Sequence, residues 1–267
     1  MESLKRRYRY SFILLKQLIK TDFKLRYQGS VLGYLWSLLK PLAIFAILYV
    51  VFVRFIGLGQ DIPFFAVYLL LGIVLWNYFS EVTNGSVGAI VGRGDLLRKI
   101  NFPRYVIIFA GSFSGLINLV LNFVVVGLFM VLSHVDILAT SPLILPLILE
   151  LFIFSLAMAF FLSAAFVRFR DITYIWEVIM QGAFYATPIL YPIDDIPVKA
   201  AKLLILSPMA QMIQDARYVL VTHKTITIDQ LYGTHWMRLV PVGITLVTAV
   251  VATTYFRRRS RYFAEDV

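Results

Sequence analysis

Six stretches of this chain are apolar enough, over enough residues, to cross a lipid bilayer, which takes about 20 mostly apolar residues. They run over roughly 35–57, 64–88, 104–133, 142–167, 172–192 and 236–256. The third is long enough to tilt or project beyond the hydrocarbon, and the first carries Lys40 beside Pro41 near its start. Six crossings put both termini on one side. The only long opposite-side connection is 193–235, and Pro197 and Ser207–Pro208 mark two helix starts within it. The apolar runs that follow them are too short to span, so they predict a re-entrant or interfacial helical hairpin before the last span. Ahead of the first span, Phe12, Leu15, Leu18 and Ile19 recur at helical spacing, flanked by Lys16, Lys20 and Lys24. That is the pattern of an amphipathic helix lying in an anionic membrane interface.

Composition changes this picture little and closes some doors. The chain is 60% hydrophobic and 15% charged, with a mean hydropathy of +0.81, whereas soluble domains are about half apolar and a quarter charged. A soluble fold of this length cannot hide so much apolar surface, so lipid must cover the rest. The expectation is one all-α integral membrane domain over residues 1–267, with no cleaved leader. Cysteine is absent, which excludes disulfides and thiolate chemistry. No Gly-Lys dipeptide occurs either, so the chain has no P-loop to cradle nucleotide phosphates.

The formal charge of +10 invites a nucleic-acid reading, but its distribution argues for topology. Residues 1–34, 92–104, 168–171 and 257–267 hold 18 of the 25 Lys and Arg and six of the 15 acids. These segments share one side in the six-span arrangement, while the opposite loops balance. By the positive-inside rule the basic side, with both termini, is cytoplasmic.

Carboxylates within spans are costly and therefore candidates for function: Glu81, Glu150 and Glu177. Glu81 shares one helix face with Asn77 and Asn84. The stripe faces either a hydrated path or a neighbouring helix to which it bonds. For Glu150 the ordinary reading is an interfacial position or a basic partner. Trp and Tyr near span ends form an interfacial belt, which mid-span Trp76, Tyr78 and Phe79 fit less well. Tyr174, Trp176 and Tyr185, with Glu177 and Gln181 among them, offer faces for sugar rings and groups for their hydroxyls. His134 with Asp136 has the form of an acid–base pair, although His134, His223 and His235 all lie in loops or at a span end. Asp171 either caps the helix that follows it or pairs with an arginine.

Four blocks carry a resemblance. YQGSVLGYLWSLLKPL (27–42), RKINFPR (98–104), RFRDI (168–172) and ATPILYP (186–192) resemble, in order and spacing, blocks of the permeases of ABC exporters for O-antigen, capsule and teichoic acid. LSPM (206–209) departs from them, since members more often have Asn-Pro there. The resemblance implies a homodimer of six-span subunits joined by two copies of a separate ATPase, which holds the ATP and Mg. This chain itself would bind no cofactor or metal and have no catalytic residue. It further implies a polymer on an undecaprenyl diphosphate carrier and a bacterial cytoplasmic (inner) membrane. Residues 92–104 become a coupling segment, with Arg93, Arg98, Lys99, Asn101, Phe102, Pro103 and Arg104 meeting the ATPase, and 193–235 an external gate. Asn77, Glu81, Asn84, Trp176, Glu177, Gln181 and Tyr185 become the path. Lys16, Lys20, Lys24, Arg26, Arg168, Arg170 and Asp171 become the cytoplasmic interface. The rival readings are a small-molecule or drug exporter of the same class, and a membrane glycosyl- or acyltransferase. The enzyme would gather acids or histidines at one membrane face. A membrane scaffold would leave the buried carboxylates unexplained.

Overall fold

The computed structural model describes residues 12–22, 30, 32–59, 61–94, 102–261 and 263. Among them the regular structure is helical throughout. Helix α1 covers residues 12–22, and its Leu15 and Leu18 turn towards the main core while Phe12 stands exposed. Helix α2, Trp36–Leu48, contains Pro41 and runs on as a π-helix over Tyr49–Phe55. Helices α3, Phe65–Val87, and α4, Tyr105–Leu132, follow. They are joined by a segment of which only residues up to 94 and from 102 are described. Helix α5 is Ile144–Arg168 and α6 is Ile172–Ala186. Helices α7, Val198–Leu204, α8, Pro208–Leu220, and α9, Ile228–Tyr232, precede the last long helix, α10, Leu239–Arg259.

The centre of the bundle is α3. Its N-terminal half, from Phe65 to Trp76, is apolar all round, the composition of a helix surrounded by others. Its most apolar stretch is 78% buried, against 28% or less in the other four long segments. It packs on α4 and α5, while α10 lies along α5. Phe79 shows the result: its ring stacks on Phe154 of α5 at 5.4 Å and meets Trp176 of α6 edge-on at 6.3 Å. Mid-span Tyr78 and Phe79 are therefore core residues, where the sequence left them unplaced.

Five helical segments among the described residues are long and apolar enough to cross a bilayer: Trp36–Phe55, Phe65–Val87, Tyr105–Leu132, Ser141–Arg168 and His235–Arg259. The stretch at 172–192 differs from the expected full-length helix. It is helical for 15 residues only, about 22 Å at 1.5 Å per residue against a hydrocarbon core of about 30 Å. Pro188 is the reason. A residue before proline is pushed out of the helical region, and Thr187 has ψ 135°. The chain continues non-helically through buried Ile189 and Leu190.

Both proline-marked starts in 193–235 open helices, with Pro197 just ahead of α7 and Pro208 as the first residue of α8. Helix α9 was not anticipated, although Thr227 and Gln230 form a capping box across its first turn, a spacing visible in the sequence. Ile193, Ala201, Ile205 and Ile228 bury one another in a small second core.

Candidate functional site: two intramembrane cavities and a buried arginine

The face of α3 changes character after Trp76. Asn77, Ser80, Glu81 and Asn84 follow at spacings of three and four, and a helix turns such positions to one side. Here they line two cavities. One, of about 540 Å³, lies between α2, α3 and α4 and is walled by Asn77, Tyr78, Glu81 and Asn84 together with Lys40, Asn118 and Asn122. The other, of about 440 Å³, lies between α3 and α6, with Trp76, Ser80 and Asn84 facing Glu177, Gln181 and Tyr185. Ser80 and Asn84 belong to both. Asn84 Nδ2 donates to Ser80 Oγ at 3.0 Å.

The seven path residues expected from the sequence therefore divide. Asn84, Glu177, Gln181 and Tyr185 meet across the α3–α6 groove, whereas Asn77 and Glu81 face the larger cavity. Trp176 lines neither. It is buried against Phe79, and its Nε1 finds no hydrogen-bond partner among the described residues. Glu81 accepts from Asn118 Nδ2 at 3.0 and 3.2 Å. Asn122 in turn donates to the backbone oxygens of Asn118 at 2.8 Å and Ser37 at 3.3 Å, which ties α4 to α2. A third cavity of about 200 Å³ lies beside Glu81 and includes Asp22 and Arg93.

Asp22 and Arg93 form an ion pair that joins α1 to the start of the 92–104 segment. Phe102 is buried, and Arg104 stands 6.0 Å over the ring of Phe263 near the C-terminus. Arg98, Lys99 and Asn101 lie outside the described residues, as do Lys24 and Arg26. Lys16 and Lys20 are exposed on α1. At the turn before α6, Arg168 packs on Phe169 and Arg170 on Phe166. Asp171 holds the position ahead of α6, but its side chain makes no capping bond. It forms no ion pair with either arginine among the described residues. Both expected roles are thus corrected: the arginines find aromatic faces instead.

Arg217 escaped the sequence reading altogether. It is fully buried on α8, with its guanidinium 3.6 Å over the Tyr68 ring. Nε donates to Tyr68 O at 3.0 Å, Nη1 to Pro188 O at 2.6 Å and Gln214 Oε1 at 3.1 Å, and Nη2 to Ile189 O at 2.7 Å. Non-helical backbone beside lipid is tolerated only where protein satisfies its polar groups. This side chain does so for the break after α6. A Cβ on Gly72 would come 2.6 Å from Nη2, so glycine gives the guanidinium its room. The available signal was one arginine in an otherwise uncharged or apolar run beside Asp215.

The acids beyond the long helices are less scattered than they read in the sequence. Arg238 at the start of α10 reaches Asp215 of α8 at 3.4 Å and Asp229 of α9 at 3.1 Å, and His235 lies 3.4 Å from Asp229. Burial pushes the Asp215 carboxyl up, while Arg238 opposes the shift. Glu150 stands within the field of Asp215 and Arg238, and its Oε1 has no hydrogen-bond partner among the described residues. No ion pair joins His134 to Asp136 there. His223 stacks on Tyr218 at 4.6 Å.

Known proteins resemble this chain over most of its length. The profile of the ABC-2 type transporter family matches residues 13–221. The O-antigen export system permease protein RfbA of Myxococcus xanthus is 30% identical over 266 residues, covering 97% of each chain. A protein of the same name from Klebsiella pneumoniae is 30% identical over 214 residues, 79% of this chain and 82% of its own. The polysialic acid transport protein KpsM of Escherichia coli is 23% identical over 207 residues, 77% of this chain and 80% of its own. Because the matched residues take in four of the five long apolar helices, both large cavities and the helix carrying Arg217, and one relative aligns over 97% of both chains, the chain belongs to the ABC-2 type transporter family.

Proposed function

We propose that this chain is the membrane subunit of an exporter that moves a polysaccharide on an undecaprenyl diphosphate carrier across the bacterial cytoplasmic membrane. Two copies would form the permease, and two copies of a separate ATPase would drive it. The likeness over 97% of both chains to a protein named for O-antigen export carries this reading. The α3–α6 groove agrees with it, since amides, a carboxylate and the aromatic groups of Trp76 and Tyr185 suit sugar hydroxyls and ring faces.

The reading needs α6 to cross. Helix α10 ends in Arg257, Arg258 and Arg259. For those to share the basic side with residues 1–34, the chain must reach the opposite side before α10 begins. Helix α6 and the buried segment after it, held by Arg217, together make that crossing. The hairpin of α7 and α8 then lies towards the outer face as a gate.

Silencing the gene is expected to make a lipid-linked glycan accumulate on the cytoplasmic side. Retention of a small molecule, with glycan export intact, would overturn the substrate class. The purified chain is expected to hydrolyse no ATP, and turnover is expected once the ATPase is co-expressed. Nucleotide turnover by the homogeneous chain alone would sink the division of labour.

Coupling is assigned to the 92–104 segment, beside α1. Reversing Arg98, Lys99 and Arg104 to Glu is expected to release or uncouple the ATPase while the chain still inserts. Arg93 is left out of the set because it is engaged by Asp22. The same basic residues help to keep this loop inside, so orientation must be read in the same variant by accessibility of an introduced cysteine. Unchanged complex formation and unchanged transport in a correctly oriented variant would refute the assignment.

A further inference from the structure

Helices α5 and α10 reach one membrane face together. Phe160 of α5 meets Phe256 of α10 at 4.8 Å, and Phe161 meets Tyr255 at 5.6 Å. Past these pairs α5 ends at Arg168 with Arg170 just after it, and the last turn of α10 carries Arg257 and Arg258, with Arg261 beyond. These five arginines are exposed. None of them forms an ion pair among the described residues, and neither does exposed Asp171 beside Arg170.

Membrane topology asks for positive charge here, and the negative ends of two helix dipoles favour it. Lysine would meet both demands. Arginine adds a planar fork of donors that fits the oxygens of a phosphate two at a time. Two of the forks are already restrained: Arg168 lies 5.1 Å over the Phe169 ring and Arg170 lies 4.9 Å over that of Phe166. Such contacts hold a side chain in place and leave its charge without an anion.

The flank that leads to the arginines suits a hydrocarbon chain. Val247, Val251, Thr254 and Arg258 follow at spacings of three and four, so one exposed stripe of α10 runs from apolar to basic. At 1.5 Å per residue the stripe is about 16 Å long, close to half of a hydrocarbon core of about 30 Å. Phe161 of α5, 40% exposed, borders it beside Tyr255. Neither helix lines either large cavity, so an occupant here stands off the path assigned to the polymer.

Five arginines beside one carboxylate leave more positive charge than a single phosphate balances. We propose that the paired ends of α5 and α10 hold a resident phospholipid with two phosphates, of the diphosphatidylglycerol class. Its headgroup lies on the arginines and an acyl chain lies along the α10 stripe. Basic sites between membrane helices on the cytoplasmic side take headgroups of this kind, and that this end is cytoplasmic rests on the topology proposed above.

The test uses the full chain in phosphatidylcholine nanodiscs titrated with diphosphatidylglycerol, with bound lipid counted by native mass spectrometry. The lipid is expected to stay on the chain under activation that strips phosphatidylglycerol supplied at equal charge. A photoreactive form should crosslink within 161–170 and 250–261. Arg168→Lys, Arg170→Lys, Arg258→Lys and Arg261→Lys together preserve charge and orientation, and are expected to weaken retention about tenfold, the worth of one charge-assisted hydrogen bond. Equal retention of phosphatidylglycerol, or undiminished retention by the lysine chain, would reduce the patch to a topology signal and overturn the proposal. Displacement by undecaprenyl diphosphate would overturn it too, by making this a port for the carrier. Retention that appears only after Glu265→Gln and Asp266→Asn would show the chain's own acids covering the arginines, with the same consequence. A lysine chain that keeps its lipid but loses the ATPase would mark a protein surface instead. Specific retention by a chain that exports no glycan would remove the exporter reading and leave this one.

Discussion

Replacing Arg217 by methionine is expected to lower the stability of the folded chain by about 3–5 kcal/mol, the range for removing one member of a buried charged network. In thermal unfolding of the protein in nanodiscs this should read as a fall of roughly 10 °C in apparent Tm. Methionine fills similar space, so the effect does not come from a cavity. It comes from Pro188 O and Ile189 O, which lose their donor in a buried place, each unpaired acceptor costing about 1–3 kcal/mol, whereas Tyr68 O, inside α3, keeps the helix's own bond. Part of that is returned because no guanidinium has to be desolvated, and the net remains unfavourable because two acceptors are stranded together. Arg217→Lys should recover only part of the loss, since a lysine is a point donor and cannot serve acceptors spread around a planar fork. Gly72→Val pushes on the same guanidinium. Combined with Arg217→Met it should cost less than the sum of the two, because both act on one network. An Arg217→Met chain that melts with the wild type would show that the carbonyls find other partners.

Bulky adducts in the α3–α6 groove are expected to reduce export to background. The chain has no cysteine, so single cysteines at 80, 84, 181 and 185 can be labelled without background. A conducting groove predicts reaction with a small polar thiol reagent, faster when the ATPase and nucleotide are present. The energetic argument is that a carboxylate facing lipid at a helix centre costs about 2.5–3.5 kcal/mol even on mild insertion scales, and Glu177 is exposed on α6 in the isolated chain. A hydrated groove removes most of that cost. Helix packing is the rival account, with interhelical polar bonds averaging roughly 0.6 kcal/mol. Under that account the four positions stay protected in every state, and export survives their replacement by apolar residues. Cysteine at 176 supplies the contrast, since Trp176 faces the core and should remain unreactive.

Much of the frame is legible in the sequence. The long apolar stretches, the basic clustering, the helix starts at Pro197 and Pro208, and the Asn77–Glu81–Asn84 stripe are all local statements. A helix satisfies its own backbone within four residues, and lipid rewards apolar length whatever the neighbours are. For the same reason the early end of α6 was readable in principle: Pro188 acts on the residue beside it. The expected full crossing over 172–192 gave weight to hydropathy, which continues past Ala186, and not to that local restriction.

Neighbourhood was another matter. Periodicity says that Asn77, Glu81 and Asn84 share a face, but not that Asn84 turns to α6 while Glu81 turns to Asn118, 37 residues away. It marks Trp176 and Tyr185 alike as aromatic positions on one helix, yet packing sends the first into the core and leaves the second on a groove. The bond from Arg217 to Tyr68 spans 149 residues, and Arg238 draws together Asp215 and Asp229 from separate helices. A side chain's local sequence determines the helix it stands on and the direction it leaves. What it meets depends on which helices lie alongside, and that is decided by the packing of whole apolar faces. The composition of this chain determined that it is a helical membrane protein, whereas the partners of its polar residues, and with them the site, were decided only in the assembled bundle.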